Sequence, residues 1–390
     1  MIGHTCAVVH VMYVIPMKFI KSEACKELYV IQSESPQNNC RIICYEYRII
    51  YFFRTVNVIQ LIKNNKGELI MHSNKNVLLI AGGGTLGTYV SKELLRLGCN
   101  VDVICLEEKK SESDRLKFYK DYVSEDLLKK LFSQKHYDGI VNFIHYTDVE
   151  EYKKFHKILI ENTDHLIFLS SYRVYADKEH PIKETSPRLY DVSEDKYFLE
   201  TEDYAVPKSK CEDFLSIECK GQPWTVVRPV ISFSDKRFDL YVYSNDDILN
   251  SVNSGKPLLM PEFAKNVTAG IDWAGNSGKL IANLLFKKEA IGERFTISSG
   301  QNLTWGEVAD IYSDLTGLKI EWTDEESFIS SYPCVKTTKE WIYKCDRLYD
   351  RSIDCSKVLS VTGLGKNDFL SIRKGIEKEL EIFEQRNKKL

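Results

Sequence analysis

The chain has no surplus of either charge. Its 53 lysines and arginines face 56 aspartates and glutamates, a formal net charge of −3 over 390 residues. That balance gives no basic footprint for nucleic acid or for an anionic membrane surface. Long apolar runs are missing as well. Cys6–Ile20 is broken by His10, Pro16 and Lys18 and has no basic leader, and Arg41–Ile62 carries Glu46, Arg48 and Arg54. Neither reads as a signal peptide or a membrane span. The 11 cysteines form no C-x-x-C pair and no Cys/His cluster at metal-ligand spacing, so no metal is expected. Cys99, Cys105 and Cys219 sit in or beside apolar segments and read as core filling with reduced cytosolic thiols. Internal repeats and low-complexity segments are absent too.

Residues 1–70 lack aspartate and tryptophan, and no apolar period persists through them. Met71 is the only methionine between Met17 and Met260. Codons for Lys66-Gly67-Glu68 can spell a purine-rich ribosome-binding site just upstream of it. The native chain is therefore expected to start at Met71, with 1–70 an unassigned extension; a genuine N-terminal extension is the alternative. The remainder, 28% charged and 43% hydrophobic across the whole chain, is ordinary for a soluble protein large enough for more than one domain.

The most informative stretch is Asn76–Leu106. Val77–Ile80 is a continuous apolar run, as in a strand buried on both faces of a parallel sheet. It leads into Gly82, Gly84 and Gly87, which fit G-x-G-x-x-G, and then into a helical pattern with Val90, Leu94, Leu95 and Leu97. Gly98 closes that helix, and Val101–Leu106 reads as a second strand ending at Glu107. Three glycines in this setting provide a tight turn, close approach to a pyrophosphate and close helix–strand packing. The helix N-terminus would face the phosphates, and Glu107 would accept from a ribose 2′-OH. A dinucleotide is the expected ligand.

Strand-like and helix-like segments then alternate. Phe118–Tyr122 and Tyr137–Ile144 read as strands, with a helix capped by Ser124 between them. Glu151–Asn162 is helical, and His165–Ser171 is a further buried strand ending in two serines. That alternation argues for right-handed βαβ crossovers in one parallel sheet. Tyr204 and Lys208 follow at i and i+4, on one face if both are helical. A nearby Lys⁺ and a cationic nicotinamide would favour the phenolate of Tyr204, so that it can exchange a proton with a substrate hydroxyl while hydride moves. Ser171 would hold the same oxygen.

Taken together, these residues resemble the extended short-chain dehydrogenase/reductases, the NAD-dependent epimerase/dehydratase family. The likeness runs from about Lys75 to the C-terminus. It rests on the glycine loop, Ser170–Tyr175, Pro181–Glu184, Tyr204/Lys208, Arg228-Pro229, Asp272-Trp273-Ala274, the Thr304–Leu315 helix, Asp354–Lys357 and the closing helix Ser371–Phe383. It implies an α/β protein: a Rossmann-type doubly wound parallel sheet over 71–231, and a smaller C-terminal α/β substrate domain over 232–390 with some segments returning to the first. It implies Ser171, Tyr204 and Lys208 as the catalytic trio. Gly82, Gly84, Gly87 and Glu107 would hold the cofactor, with Thr85 and Leu86 of the same loop and with Asp121 and Tyr122 near the adenine; core packing is the other reading of Tyr122.

The chain departs from the family at three places. The usual first glycine falls at Ala81. Tyr172 and Arg173 stand where sugar 4,6-dehydratases carry an acid pair, and neither can do a carboxylate's proton work, which disfavours dehydration. Val230, Ile231 and Ser232 replace an asparagine that many relatives use. For a substrate diphosphate, Ser232, Arg237 and Arg347 are the candidates, with Lys344 and Arg351 behind them; Trp322 and Trp341 are candidate ring platforms. The expected activity is NAD-dependent redox at a nucleoside-diphosphate sugar, epimerisation through a keto intermediate, in the cytoplasm and without nucleic acid or membrane. Relatives are commonly homodimers. Glu107 argues for NAD, while Lys109 and Lys110 keep NADP open. The alternatives are a reductase or dehydrogenase of a non-nucleotide carbonyl or alcohol, and a non-catalytic dinucleotide-binding or RNA-associated relative.

Overall fold

The computed structural model describes residues 74–111 and 113–387, together with the backbone of five short strands nearer the N-terminus. Those strands, Met17–Lys21, Tyr29–Ser33, Arg41–Tyr45, Arg48–Phe52 and Ile59–Leu61, pair antiparallel in chain order and belong to a separate compact unit. The expected start at Met71 lies outside the described residues.

The main unit is built on seven strands. They are β1 (Asn76–Ile80), β2 (Asn100–Cys105), β3 (Leu116–Lys120), β4 (Gly139–Asn142), β5 (Leu166–Leu169), β6 (Trp224–Pro229) and β7 (Glu293–Ile297). All neighbours are parallel, in the order β7-β6-β5-β4-β1-β2-β3. Val77 to Ile80 are wholly buried, which is why this apolar run takes the middle of the sheet. The chain first moves outward from β1 to β3, then returns to the other side of β1 at β4. That reversal opens a crevice at the carboxyl ends of β1 and β4.

The helices follow from their sequence signals. Ser124 accepts from the Leu127 N–H at 3.3 Å and starts α2 (Glu125–Gln134), whose Leu128 and Leu131 are buried. Asp148 caps α3 (Val149–Ile160) in the same way. Helix α1 (Thr85–Arg96) turns Val90 and Leu94 into the core. Helix α4 (Ala205–Ile217) is tied to the sheet by Glu212, whose Oε1 accepts from the Arg228 Nε at 2.9 Å. Burial works against the Glu212 carboxylate, but the Arg228 charge outweighs it and holds the group below the usual carboxylate range. The Arg-Pro signature thus serves to anchor α4.

After β6 the chain leaves the sheet. Ile231–Phe233 pairs parallel with Ile271–Trp273, and Leu258–Pro261 with Ile320–Thr323. Helices Asn245–Ser254, Ala274–Leu284 and Trp305–Thr316 pack around these short pairs, the first and last opened by capping boxes at Ser244 and Thr304. Their core includes Phe233, Tyr241, Trp305, Tyr312 and Phe328. Strand β7 comes between these segments and rejoins the main sheet at β6. No helix among the described residues is long and apolar enough to cross a membrane.

Candidate active site

Two cavities open at the crevice between β1 and β4, and they share Ala81 and Gly84. Their volumes, about 430 and 340 Å³, lie in the range of small-molecule sites. The glycine loop forms the saddle between them. A Cβ on Gly87 would stand 2.2 Å from the Gly82 carbonyl oxygen, so only glycine lets α1 approach the loop this closely. A Cβ on Gly84 would meet nothing within 4 Å, because that face of the loop looks into open space. Ala81, read from the sequence as a departure, adopts φ +55°, a left-handed conformation that glycine would take without strain.

The smaller cavity holds Glu107, Asp121 and Tyr122. The Glu107 carboxylate lies against Gly83, at 2.5 Å from where a Cβ would be. Asp121 accepts from the Tyr122 N–H at 2.8 Å, and the Tyr122 ring is 75% exposed, which removes core packing as its role. Lys109 is turned onto the Gly83 carbonyl, while Lys110 is exposed.

The larger cavity gathers the rest. Thr85, Leu86 and Gly87 line one wall, Ser171, Arg173 and Tyr204 another, and Ser232, Arg237 and Arg347 a third. Thr85 Oγ1 and Ser234 Oγ are 3.0 Å apart, which brings the loop after β6 onto the start of α1. Ser171 Oγ accepts from the Arg173 N–H at 3.2 Å, and Ser232 Oγ donates to the Val230 carbonyl and to Ser277. Arg237 is bidentate to Asp239, at 2.7 and 3.3 Å, with its side chain 56% exposed.

Arg347 is buried at the end of a π-helical turn, Tyr343–Arg347, and is held by Asp346, the Tyr172 hydroxyl and the Tyr241 carbonyl. Burial opposes the Asp346 charge, but Arg347 and Arg351 outweigh it and keep the carboxyl below its ordinary range. Arg351 is thus a support beneath the site, not part of its wall. Lys344 pairs with Glu340 at the surface, and Trp341 packs on Tyr197 and Phe198. Neither they nor Trp322, over which Lys265 lies, line the cavity.

Tyr204 and Lys208 need one correction. Tyr204 is not in the helix: it is the N-cap of α4, with φ −123° and ψ −66°. The Lys208 ammonium, 1% exposed, donates to the carbonyls of Ile144 and Leu169 at the ends of the neighbouring strand segments and makes no hydrogen bond to the phenol. Burial pushes its proton affinity down to about 8. The Tyr204 ring instead meets Arg173, whose guanidinium carbon is 4.7 Å from the ring centroid, and His145, with ring centroids 4.9 Å apart. Burial, then the Lys208 charge, holds the His145 imidazole below its usual range. His145 and Glu202, which reaches the Tyr204 N–H at 3.1 Å, had no sequence motif to reveal them.

No protein-family model matches the sequence, and no curated protein matches it. Solved structures do match by fold. An epimerase from Methanothermobacter thermautotrophicus superposes with TM-score 0.59 at 16% identity, covering 81% of this chain and 94% of that one. The chain has the fold of these epimerases. UDP-glucose 4-epimerase from Thermotoga maritima, solved with UDP-glucose, gives TM-score 0.58 at 15% identity over 80% of this chain and 99% of that one. UDP-glucose-4-epimerase from Stenotrophomonas maltophila, solved with NAD and formylated UDP-arabinopyranose, gives 0.59 at 13% over 81% and 99%. The shared fold is the doubly wound parallel-sheet architecture that the motifs suggested.

Proposed function

We propose that the chain is an NAD-dependent redox enzyme acting on a nucleoside-diphosphate sugar, an epimerase working through a keto intermediate. One observation carries the reading: the glycine loop, Ser171, Tyr204 and two arginines, Arg237 and Arg347, line a single cavity. NAD fits the chain's own residues. The open face at Gly84 leaves room for a pyrophosphate beside the α1 N-terminus, and Glu107 stands in the adjoining cavity, where it would accept from a ribose and repel a 2′-phosphate. Lys109, committed to the Gly83 carbonyl, gives a 2′-phosphate little help. When bound, the nicotinamide supplies the hydride acceptor and donor.

The protein residues do the remaining work. Ser171 polarises the reacting oxygen, Tyr204 as its phenolate takes the proton from that oxygen to become the phenol and later returns it, and Lys208 fixes the carbonyls of Ile144 and Leu169 behind them. Arg237 and Arg347 would bind the diphosphate, which an apolar alcohol would not need. Tyr172 and Arg173 supply no carboxylate for water elimination, so epimerisation or simple reduction is favoured over dehydration. Solved structures with this fold hold UDP-glucose and UDP-glucuronic acid, which supports the same substrate class. A cytoplasmic homodimer goes with this reading.

The apolar wall at Val230 and Ile231 favours a second reading, reduction of a non-nucleotide carbonyl. A panel of nucleoside-diphosphate sugars with NAD or NADP, and of apolar ketones with NADH or NADPH as the hydride donor, separates the two by product isomers and absorbance. Tyr204→Phe should abolish turnover on whichever substrate is active; full turnover by that variant would defeat the proposal.

A further inference from the structure

Tyr204 has to be held with its hydroxyl toward the cavity, yet the lysine that the sequence pairs with it makes no hydrogen bond to it. Lys208 donates to Ile144 and Leu169, and an N-cap side chain is free to swing unless something fixes it. Three contacts do so. The Glu202 carboxylate, 1% exposed, accepts the N–H groups of Tyr204 at 3.1 Å and Val206 at 2.9 Å. It thus caps α4 in place of the Tyr204 side chain, which makes no capping bond. Its other oxygen accepts from Arg173 Nη2 at 3.2 Å. The guanidinium so anchored stacks on the phenol ring, and its Nε is closed off from solvent with no acceptor. The His145 ring lies against the same phenol, fixed by its Nε2 to the Asp203 carbonyl at 2.8 Å.

We infer that Glu202 and Arg173 form a positioning clamp for Tyr204, with Glu202 holding its backbone and Arg173 its ring. The inference rests on the reading of Tyr204 as the proton-transfer residue. Arg173 sits at the second of the two positions where dehydratases carry an acid pair, so the clamp also accounts for an arginine where elimination chemistry would place a base. A guanidinium on the face of a phenol is a favourable cation–π arrangement, and Glu202 supplies the directional anchor that a surface arginine lacks.

Fluorotyrosine placed at position 204 reports the clamp without any turnover. Its fluorine resonance should be displaced in the folded wild type, and Arg173→Gln should remove most of that displacement while Arg173→Lys keeps part of it. On the active sugar substrate, Arg173→Gln should lower kcat roughly tenfold to hundredfold with KM within about twofold, and Arg173→Lys should recover a portion. If Arg173→Gln does not fold, the near-isosteric Glu202→Gln should move both readouts in the same direction. An unmoved fluorine resonance, an unchanged kcat, or a loss confined to KM would overturn the clamp; the last would make Arg173 a substrate contact. A wild type inert on every nucleotide sugar, with the fluorine response intact, would defeat the functional reading and support the clamp.

Discussion

Adding one methyl group at each of two glycines separates what the loop does for folding from what it does for binding. At Gly87 the new Cβ would lie 2.2 Å from the Gly82 carbonyl oxygen and 2.6 Å from its carbon. Both are backbone atoms in a tight turn, so α1 has to move outward by about 1 Å to restore van der Waals contact. Overpacking of this kind costs about 1–3 kcal/mol, and the immobile neighbour puts Gly87→Ala at the upper end. For a chain of this size that is a fall in Tm of roughly 5 °C. At Gly84 the same methyl would meet nothing within 4 Å, and the residue's φ is not in the left-handed region. Gly84→Ala should therefore unfold within about 1 °C of wild type, or slightly above it because the unfolded chain loses freedom. The methyl instead occupies the face reserved for a pyrophosphate, and NAD affinity should drop about tenfold or more. Thermal unfolding with and without NAD, together with titration calorimetry, reads both effects. Wild-type affinity in Gly84→Ala would refute the placement of the pyrophosphate; wild-type stability in Gly87→Ala would refute the loop packing.

Three further outcomes follow from the same geometry. Ala81→Gly relieves a left-handed alanine at the cost of unfolded-state freedom, and should raise stability by about 0–1 kcal/mol in urea unfolding without weakening NAD. Arg347→Ala should cost about 3 kcal/mol, since it leaves the buried Asp346 with one arginine fewer, whereas Arg237→Ala, on an exposed side chain, should cost under about 1 kcal/mol; both should weaken UDP-sugar binding in calorimetry. His165 accepts from the Phe286 N–H at 3.0 Å and contacts Thr225 Oγ1 at 2.8 Å, and burial pushes its imidazole from 6.5 down to about 4. The unfolded chain therefore takes up this proton first as pH falls, so stability is full above pH 6.5 and declines by up to about 3 kcal/mol toward pH 4. His165→Gln should flatten that decline in urea unfolding at stepped pH.

Much of this was legible in the sequence because periodic patterns and turn residues act locally. Val77–Ile80, the glycine loop and the Ser124 cap read directly into elements that the structure contains, with ends shifted by a residue or two. Gly84, Thr85, Leu86, Gly87, Glu107, Asp121, Tyr122, Ser232, Arg237 and Arg347 line the two cavities, whereas the buried Gly82 and the further candidates Lys344, Arg351, Trp322 and Trp341 do not, and spacing alone said nothing of a shared wall. What escaped was long-range or conformational. Tyr204 falls just outside α4, as its N-cap, and an i, i+4 rule assumes that both residues are helical. His145 and Glu202 come to the site from separate segments, and no local pattern links either to Tyr204. Ala81 broke the family spacing, but its backbone still makes the turn.

The return of β7 to the edge at β6 has a consequence for synthesis. A ribosome that has delivered Trp224–Pro229 leaves one side of that strand with unmatched peptide groups, and the pairing segment Glu293–Ile297 emerges only after the Ile231–Phe233/Ile271–Trp273 pair and the helices Asn245–Ser254 and Ala274–Leu284. Throughout that interval the nascent sheet offers a sticky margin to other chains. The inserted segment is thus a delay as well as a wall of the cavity, and expression from either side of it alone would release a fragment with an open seam.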